Sequence, residues 1–307
     1  MPGHIRKGPA SSGRLAGAPP SPGRLAGPAS SGRLAGAPSS LLLLHAAGFC
    51  TTALRPVARS VAEALPCLKT VVGIDSRGHG LSSATAHDGW SWERFARDTL
   101  DVVDALSLDR PIGFGHSLGA AVLLMAEMAR PGTFSALYCY EPVVLLSGDT
   151  AASGDTAALA DAMAERARRR RSRFMDRDDA RRTLASKPPL DRLAEESLSG
   201  YLDGGLVPEF DGVRLACDPQ HEAAVYEAVP SPAAWATLDR VRCRVALACG
   251  SQPGPLGADA MAQVGRRIPR ASVDVLDGLG HLGPMEQPAT VAASLTSFIR
   301  SSVEPPC

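Results

Sequence analysis

No stretch of the 307 residues holds an apolar run approaching the roughly 18 residues that a membrane-spanning helix needs, so no span is expected. Net charge is absent too, since 32 Lys and Arg balance 32 Asp and Glu. Nothing global then points to nucleic acid or to an acidic membrane surface as a partner. Cys-x-x-Cys pairs are also missing. The seven cysteines, at 50, 67, 139, 217, 243, 249 and 307, are odd in number and scattered. That pattern implies free thiols in a reducing compartment and argues against a disulfide or zinc framework. Finally, acids are missing from the first 40 residues, which carry Arg6, Lys7, Arg14, Arg24 and Arg33.

That opening segment repeats Gly-Arg-Leu-Ala-Gly at 13–17, 23–27 and 32–36, among Pro, Ser and Ala. The repeat is too short and too rich in Gly and Pro to pack as a unit, so residues 1–40 read as a disordered low-complexity tail. A tail of this kind, or a misassigned start, suits a cytoplasmic protein. The acid-free Arg/Ser/Ala composition leaves an organelle transit peptide as the alternative. The remainder is ordinary for a soluble globular protein, with 45% hydrophobic and 21% charged residues over the chain. Its length suits one large domain or two ordinary ones.

From Ser40 onward, strand-like and helix-like blocks alternate. Leu41–Leu44, Thr70–Ile74, the run into Gly115, Phe134–Tyr140, Arg244–Cys249 and Ala271–Leu276 read as strands. Helical periodicity covers 52–65, 91–107, the run after Ser117 to about Arg130, 258–268 and 286–301. Such alternation specifies a mostly parallel central sheet with helices on both faces, an α/β fold. Across 145–235 it lapses into a helix at 157–174, a Lys187-Pro-Pro-Leu190 break and a loop rich in Gly, Asp and Pro. This interruption is expected to form a helical cap, with Leu159, Met163, Leu198, Leu202 and Trp235 as its apolar positions. The run Arg168–Arg171 is flanked by Asp161, Glu165, Asp176, Asp178 and Asp179, and reads as a solvated helix face.

The most informative stretch is Gly115-His116-Ser117-Leu118-Gly119, set between a strand-like run and an Ala/Leu/Met-rich helical run. Two glycines permit a sharp strand-to-helix turn that holds the serine Oγ exposed at its tip. The helix behind it offers backbone N–H groups and a positive dipole end to an oxyanion. Alone, the pentapeptide could equally be a glycine-flanked serine capping a helix.

Three further motifs accompany it: His45-Ala-Ala-Gly-Phe49 after the first strand, Asp75-Ser-Arg-Gly-His-Gly-Leu-Ser82 after the second, and Gly278-Leu-Gly-His281-Leu-Gly-Pro284 after the last. In this order and spacing the chain resembles the α/β-hydrolase superfamily, in its esterase-like branch with a helical cap, over about residues 41–301. The resemblance implies a core at 41–144 and 236–301, with residues 145–235 as a cap inserted after the strand that the family counts as its sixth. It departs from the family at the N-terminus, where an antiparallel hairpin usually precedes the His-Gly strand and the repeats stand instead. Two expectations follow there: a six-stranded sheet, or an N-terminus truncated or misassigned.

The implied activity is that of a carboxylesterase-like serine hydrolase, acting on a small-molecule acyl substrate without metal or organic cofactor. Ser117 would be the nucleophile and His281 its base, with the N–H groups of Ala47 and Leu118 as oxyanion hole. His45, Arg77 and His79 would brace their loops, and Cys50 would be a core or loop thiol. A serine at 117 argues against the superfamily members that need a carboxylate nucleophile. The third member of the triad is less plain, because Pro253 stands where many members carry an aspartate, three residues past Gly250. Glu141 matches the members that place the acid after the sixth strand, and Asp259 is the alternative. Thioesters, lactones and activated C–C bonds stay open as substrates, and so does a catalytically silent member that binds a small ligand in the same pocket.

Overall fold

The short apolar runs of about five residues that break off at a glycine or a polar turn become the parallel strands. The computed structural model describes residues 23–25, 39–84, 89–144 and 150–302. Its first half runs β1 (Gly23–Leu25), β2 (Ser40–Leu44), α1 (Arg55–Ala64), β3 (Thr70–Ile74), α2 (Trp92–Ala105), β4 (Ile112–His116), α3 (Leu118–Ala129) and β5 (Ala136–Tyr140). The intervening segment holds α4 (Thr150–Arg168), β6 (Arg173–Phe174), α5 (Arg177–Ala185), α6 (Glu195–Gly204), β7 (Leu206–Glu209), β8 (Gly212–Leu215) and α7 (Pro219–Glu227). The chain then closes with β9 (Arg244–Gly250), α8 (Ala258–Gly265), β10 (Ala271–Leu276), α9 (Gly283–Glu286) and α10 (Pro288–Ser302).

The main sheet has the order β1-β3-β2-β4-β5-β9-β10. Six of these strands are parallel, as the alternating pattern requires, and β1 pairs antiparallel with β3 through Leu25 and Val71. So the second Gly-Arg-Leu-Ala-Gly repeat supplies a short edge strand. The expectation of a disordered tail for the rest of 1–40 lies largely outside the described residues.

Strand β2 is leucine at four successive positions because both its faces are covered. Leu42 and Leu44 join Val72, Ile74 and α3 in one core layer. Leu41 and Leu43 join Val71, α1 and α10 in the other. Helix α3 is apolar nearly all round and is buried from Leu118 to Met128, so it lies wholly inside the protein. Helix α2 covers it with an apolar stripe of Trp92, Phe95, Ala96, Val102 and Val103. That stripe ends before Leu106, which is exposed.

Besides β1, a seventh strand where the sequence implies a disordered tail or a six-stranded sheet, two further features differ from the sequence reading. Residues 150–235 are largely helical but also carry a three-stranded antiparallel sheet, in the order β6-β8-β7. Its strands are only two to four residues long, and Phe210-Asp211 turns between β7 and β8. Strands so short give no periodicity, so the sequence shows there only a Gly- and Asp-rich loop. Helix α4 correspondingly ends at Arg168, and Phe174 belongs to β6. The second difference is at the cysteines. Cys50, Cys139, Cys217, Cys243 and Cys249 are free and buried, whereas Cys67 is disulfide-bonded.

Candidate active site

The geometry of the β4–α3 turn follows from its glycines. Ser117 sits between strand and helix at φ 55° and ψ −113°, a left-handed conformation that a non-glycine residue adopts only when its surroundings enforce it. Three backbone hydrogen bonds do so. Ser117 N–H donates to Tyr140 O (2.9 Å), Gly119 N–H to His45 O (3.1 Å), and Ala121 N–H to Ser117 O (3.1 Å). Gly115 and Gly119 are required by close approach. A Cβ on Gly115 would lie 2.5 Å from Ala120 Cα, and one on Gly119 would lie 2.5 Å from Leu44 O.

His281 arrives on the loop after β10. The loop is tied down by His116 Nε2–H to His281 O (2.8 Å), Tyr140 O–H to Gly280 O (2.7 Å) and Gln252 Nε2–H to Gly278 O (2.9 Å). In that position His281 Nε2 is 3.1 Å from Ser117 Oγ, and Nδ1 is 2.6 Å from Glu141 Oε2. Glu141 follows β5 directly and has φ 44°. Its N–H donates to Ala248 O (2.8 Å), and its Oε1 accepts from Gly250 N–H (3.0 Å). One carboxylate oxygen is therefore held by the end of β9 while the other faces the imidazole. Asp259 is exposed in the first turn of α8, where a carboxylate favours the helix dipole, and it does not meet His281.

Ala47 and Leu118 line the same cavity as Ser117. Among the described residues, neither of their backbone N–H groups has an acceptor within the protein. The turn carrying Ala47 is fixed by two buried histidines, each with a defined tautomer. His45 donates through Nδ1 to Ala46 O (2.7 Å) and accepts Ser76 N–H at Nε2 (3.0 Å). His79 donates through Nδ1 to Arg77 O (3.1 Å) and accepts Gly48 N–H at Nε2 (3.0 Å). Burial depresses the pKa of His45 despite the nearby Asp75, and pushes that of His79 down to about 3. Both rings stay neutral and keep one donor and one acceptor. His116 is likewise driven well below the ordinary histidine range by burial. Arg77 makes a two-point contact with Asp98, at 2.8 and 2.7 Å. The Cys50 thiol is buried, and its pKa is pushed up to about 12, which leaves it unreactive as a nucleophile.

Ser117, Glu141 and His281 open into a cavity of about 730 Å³. Most of its wall is apolar, with Phe49, Trp92, Val143, Leu256 and Leu282 joined by Leu159 and Met163 of α4. Of the other apolar positions anticipated in 145–235, Leu198, Leu202 and Trp235 do not line it and are buried in the two core layers instead. Among the described residues no group of three His, Cys, Asp or Glu side chains is arranged to hold a metal ion.

Sequence reasoning missed two features. His116 occupies an ordinary position inside the pentapeptide, and its hold on the His281 carbonyl becomes visible only in three dimensions. Arg170 is the other. Within the arginine run, Arg169 is solvated beside Glu165, but Arg170 turns inward to Glu222 and Tyr201, against Gly48 of the turn. Burial opposes its charge, yet contact with Tyr201 and Glu222 holds its pKa above the usual arginine value. A chemically uniform run of four arginines gives no sign of which one faces inward.

Sheet order, a strained serine at the β4–α3 turn and a histidine loop after the last strand together describe an α/β hydrolase. The model of the Alpha/beta hydrolase family matches residues 41–294, and the chain belongs to that family. Among curated proteins, human monoglyceride lipase is 32% identical over 81 residues. That stretch is 25% of this chain and only 27% of the lipase, so the likeness spans about a quarter of either protein. Among solved structures, E-2-(acetamidomethylene)succinate hydrolase superposes with a TM-score of 0.71 at 22% identity, covering 86% of this chain and 93% of that one. The thioesterase domain from the curacin biosynthetic pathway superposes at 0.66 and 20% identity, covering 85% and 91% respectively. Among the described residues no helix is long and apolar enough to cross a membrane.

Proposed function

We propose that the chain is a serine hydrolase of carboxylic esters or closely related acyl compounds, working through Ser117, His281 and Glu141. The reading rests on one observation, the continuous relay Oγ–Nε2–Nδ1–Oε2 at 3.1 and 2.6 Å, open to the cavity. Ser117 Oγ attacks the acyl carbonyl as His281 Nε2 takes its proton. Glu141 holds the Nδ1–H tautomer and balances the imidazolium that forms. The oxyanion is received by the N–H groups of Ala47 and Leu118. Collapse returns the proton to the leaving alcohol or thiol, and water then repeats the sequence on the acyl-enzyme. Similarity to a lipase and to a thioesterase is in keeping with acyl-bond cleavage. In this reading residues 41–144 and 236–301 are the catalytic core, and 145–235 form the cap that selects the acyl group. The test is steady-state turnover of p-nitrophenyl acetate and butyrate by the wild type and by Ser117→Ala. Turnover that survives the substitution would refute the assignment.

A further inference from the structure

The charges around the cavity do not balance. Two carboxylates line it, and both are engaged, Glu141 by His281 and Glu222 by Arg170. Five cations line it: Arg166, Arg169, Arg170, Arg171 and Lys187. Three of them are matched, Arg169 by Glu165, Arg170 by Glu222 and Arg171 by Asp179. For Arg166 and Lys187, no carboxylate of the described residues lies within ion-pair distance. The segments that carry these two cations are also joined. Arg166, in the last turn of α4, donates from Nη2 to Pro188 O at 2.7 Å, the carbonyl of the residue that follows Lys187. The hydrogen bond ties the segment that carries Lys187 to Arg166, and both cations line the cavity that Ser117 lines.

Both cations therefore give the cavity a positive field that no described carboxylate cancels, and the C-terminal dipoles of α4 and α5 offset it only in part. The bond to Pro188 also leaves most of the planar donor fork of Arg166 for an oxyanion, which that fork matches in shape. We propose that the substrate is an acyl compound with an anionic group, a carboxylate or phosphate, remote from the scissile bond and held by Arg166 and Lys187. This inference rests on the hydrolytic reading of the same cavity and adds a substrate class to it. The apolar wall between rim and floor then takes the uncharged acyl segment. Hydrolysis consumes water and releases an acid with an alcohol or thiol, one of which carries the anion.

The test compares matched substrates that differ only in remote charge. One arm sets mono-p-nitrophenyl glutarate, with its carboxylate on the acyl side, against p-nitrophenyl butyrate. The other sets S-butyryl-4′-phosphopantetheine, with a phosphate on the leaving group, against S-butyryl-pantetheine. In at least one arm the wild type should favour the anionic member by about tenfold in kcat/KM, the effect of two uncompensated cations lining one solvated cavity. The Arg166→Gln/Lys187→Gln variant should lose that preference through KM, and salt near 1 M should remove it from the wild type. Reaction with an uncharged fluorophosphonate should proceed equally in both proteins, which separates a lost rim from a damaged site. Equal handling of both members in both arms, or a preference that survives the double substitution, would overturn the inference and leave the hydrolase reading intact. A wild type that neither labels nor hydrolyses any of the four would overturn both.

Discussion

Replacing Glu141 by glutamine removes one charge and changes almost nothing in shape, and the two bonds of the carboxylate define the outcome. Oε1 accepts Gly250 N–H at 3.0 Å, and Oε2 faces His281 Nδ1 at 2.6 Å. An amide has one acceptor. If its NH₂ faced Gly250, two donors would confront each other in a buried place, so the amide oxygen stays with Gly250 and the NH₂ turns to the imidazole. His281 must then accept at Nδ1, which puts its proton on Nε2 and removes the base from Ser117. The expected loss is on the order of 10⁴ in kcat, about 5.5 kcal/mol of transition-state stabilisation. The fold should hardly notice, because the bond to β9 survives. The assay is p-nitrophenyl butyrate turnover beside thermal melting, with Asp259→Asn as the control. That control changes a solvated carboxylate at a helix N-terminus, worth a few tenths of a kcal/mol, and should stay fully active. A Glu141→Gln enzyme within tenfold of the wild type, or an inactive Asp259→Asn, would refute the reasoning.

The other expectations concern the surroundings of the site. Arg170→Met leaves the Glu222 carboxylate without its partner beside Gly48 and should cost about 3 kcal/mol in urea unfolding, with Arg170→Met/Glu222→Gln recovering much of the loss. His45, His79 and His116 have depressed pKa values when folded, so the unfolded chain binds more protons below about pH 6.5 and folding stability falls as pH drops through that window. Denaturant titrations from pH 7 to 4 should show a slope of about 1 kcal/mol per pH unit for each histidine that stays neutral, and His79→Gln should reduce it. Leu159→Ala and Met163→Ala, on the cavity wall, should shift the preferred acyl length with little change in melting temperature. Leu198→Ala, in the core, should cost about 2–5 kcal/mol and lower turnover of all esters alike.

How much of this could be read from the sequence depended on locality. The six parallel strands were legible because each is a short apolar run ending at a turn, as Leu41–Leu44 ends at His45. The strand-turn-helix around Ser117 was legible for the same reason, since its glycines answer clashes with Leu44 and Ala120 that any such turn creates. Glu141 and His281 are 140 residues apart, and their meeting depends on β5, β9 and β10 lying side by side, which no local pattern states. Only the resemblance to a family carried that pairing into the sequence reading. Where neither pattern nor family spoke, the reading was incomplete. The β6-β8-β7 sheet is too short to show a period. Arg170 differs from its neighbours in direction alone, and Cys67 gives no sign in the sequence of its bond.

The central claim is that Ser117 is a nucleophile activated by His281, and covalent labelling reports on it without a known substrate. The purified chain should be incubated with an uncharged fluorophosphonate, weighed intact by mass spectrometry, and digested to find the modified peptide. The account predicts one adduct per chain on Ser117, absent from Ser117→Ala and much slower to form in His281→Ala. A wild-type chain that stays unmodified, or an adduct that persists in Ser117→Ala, would contradict it.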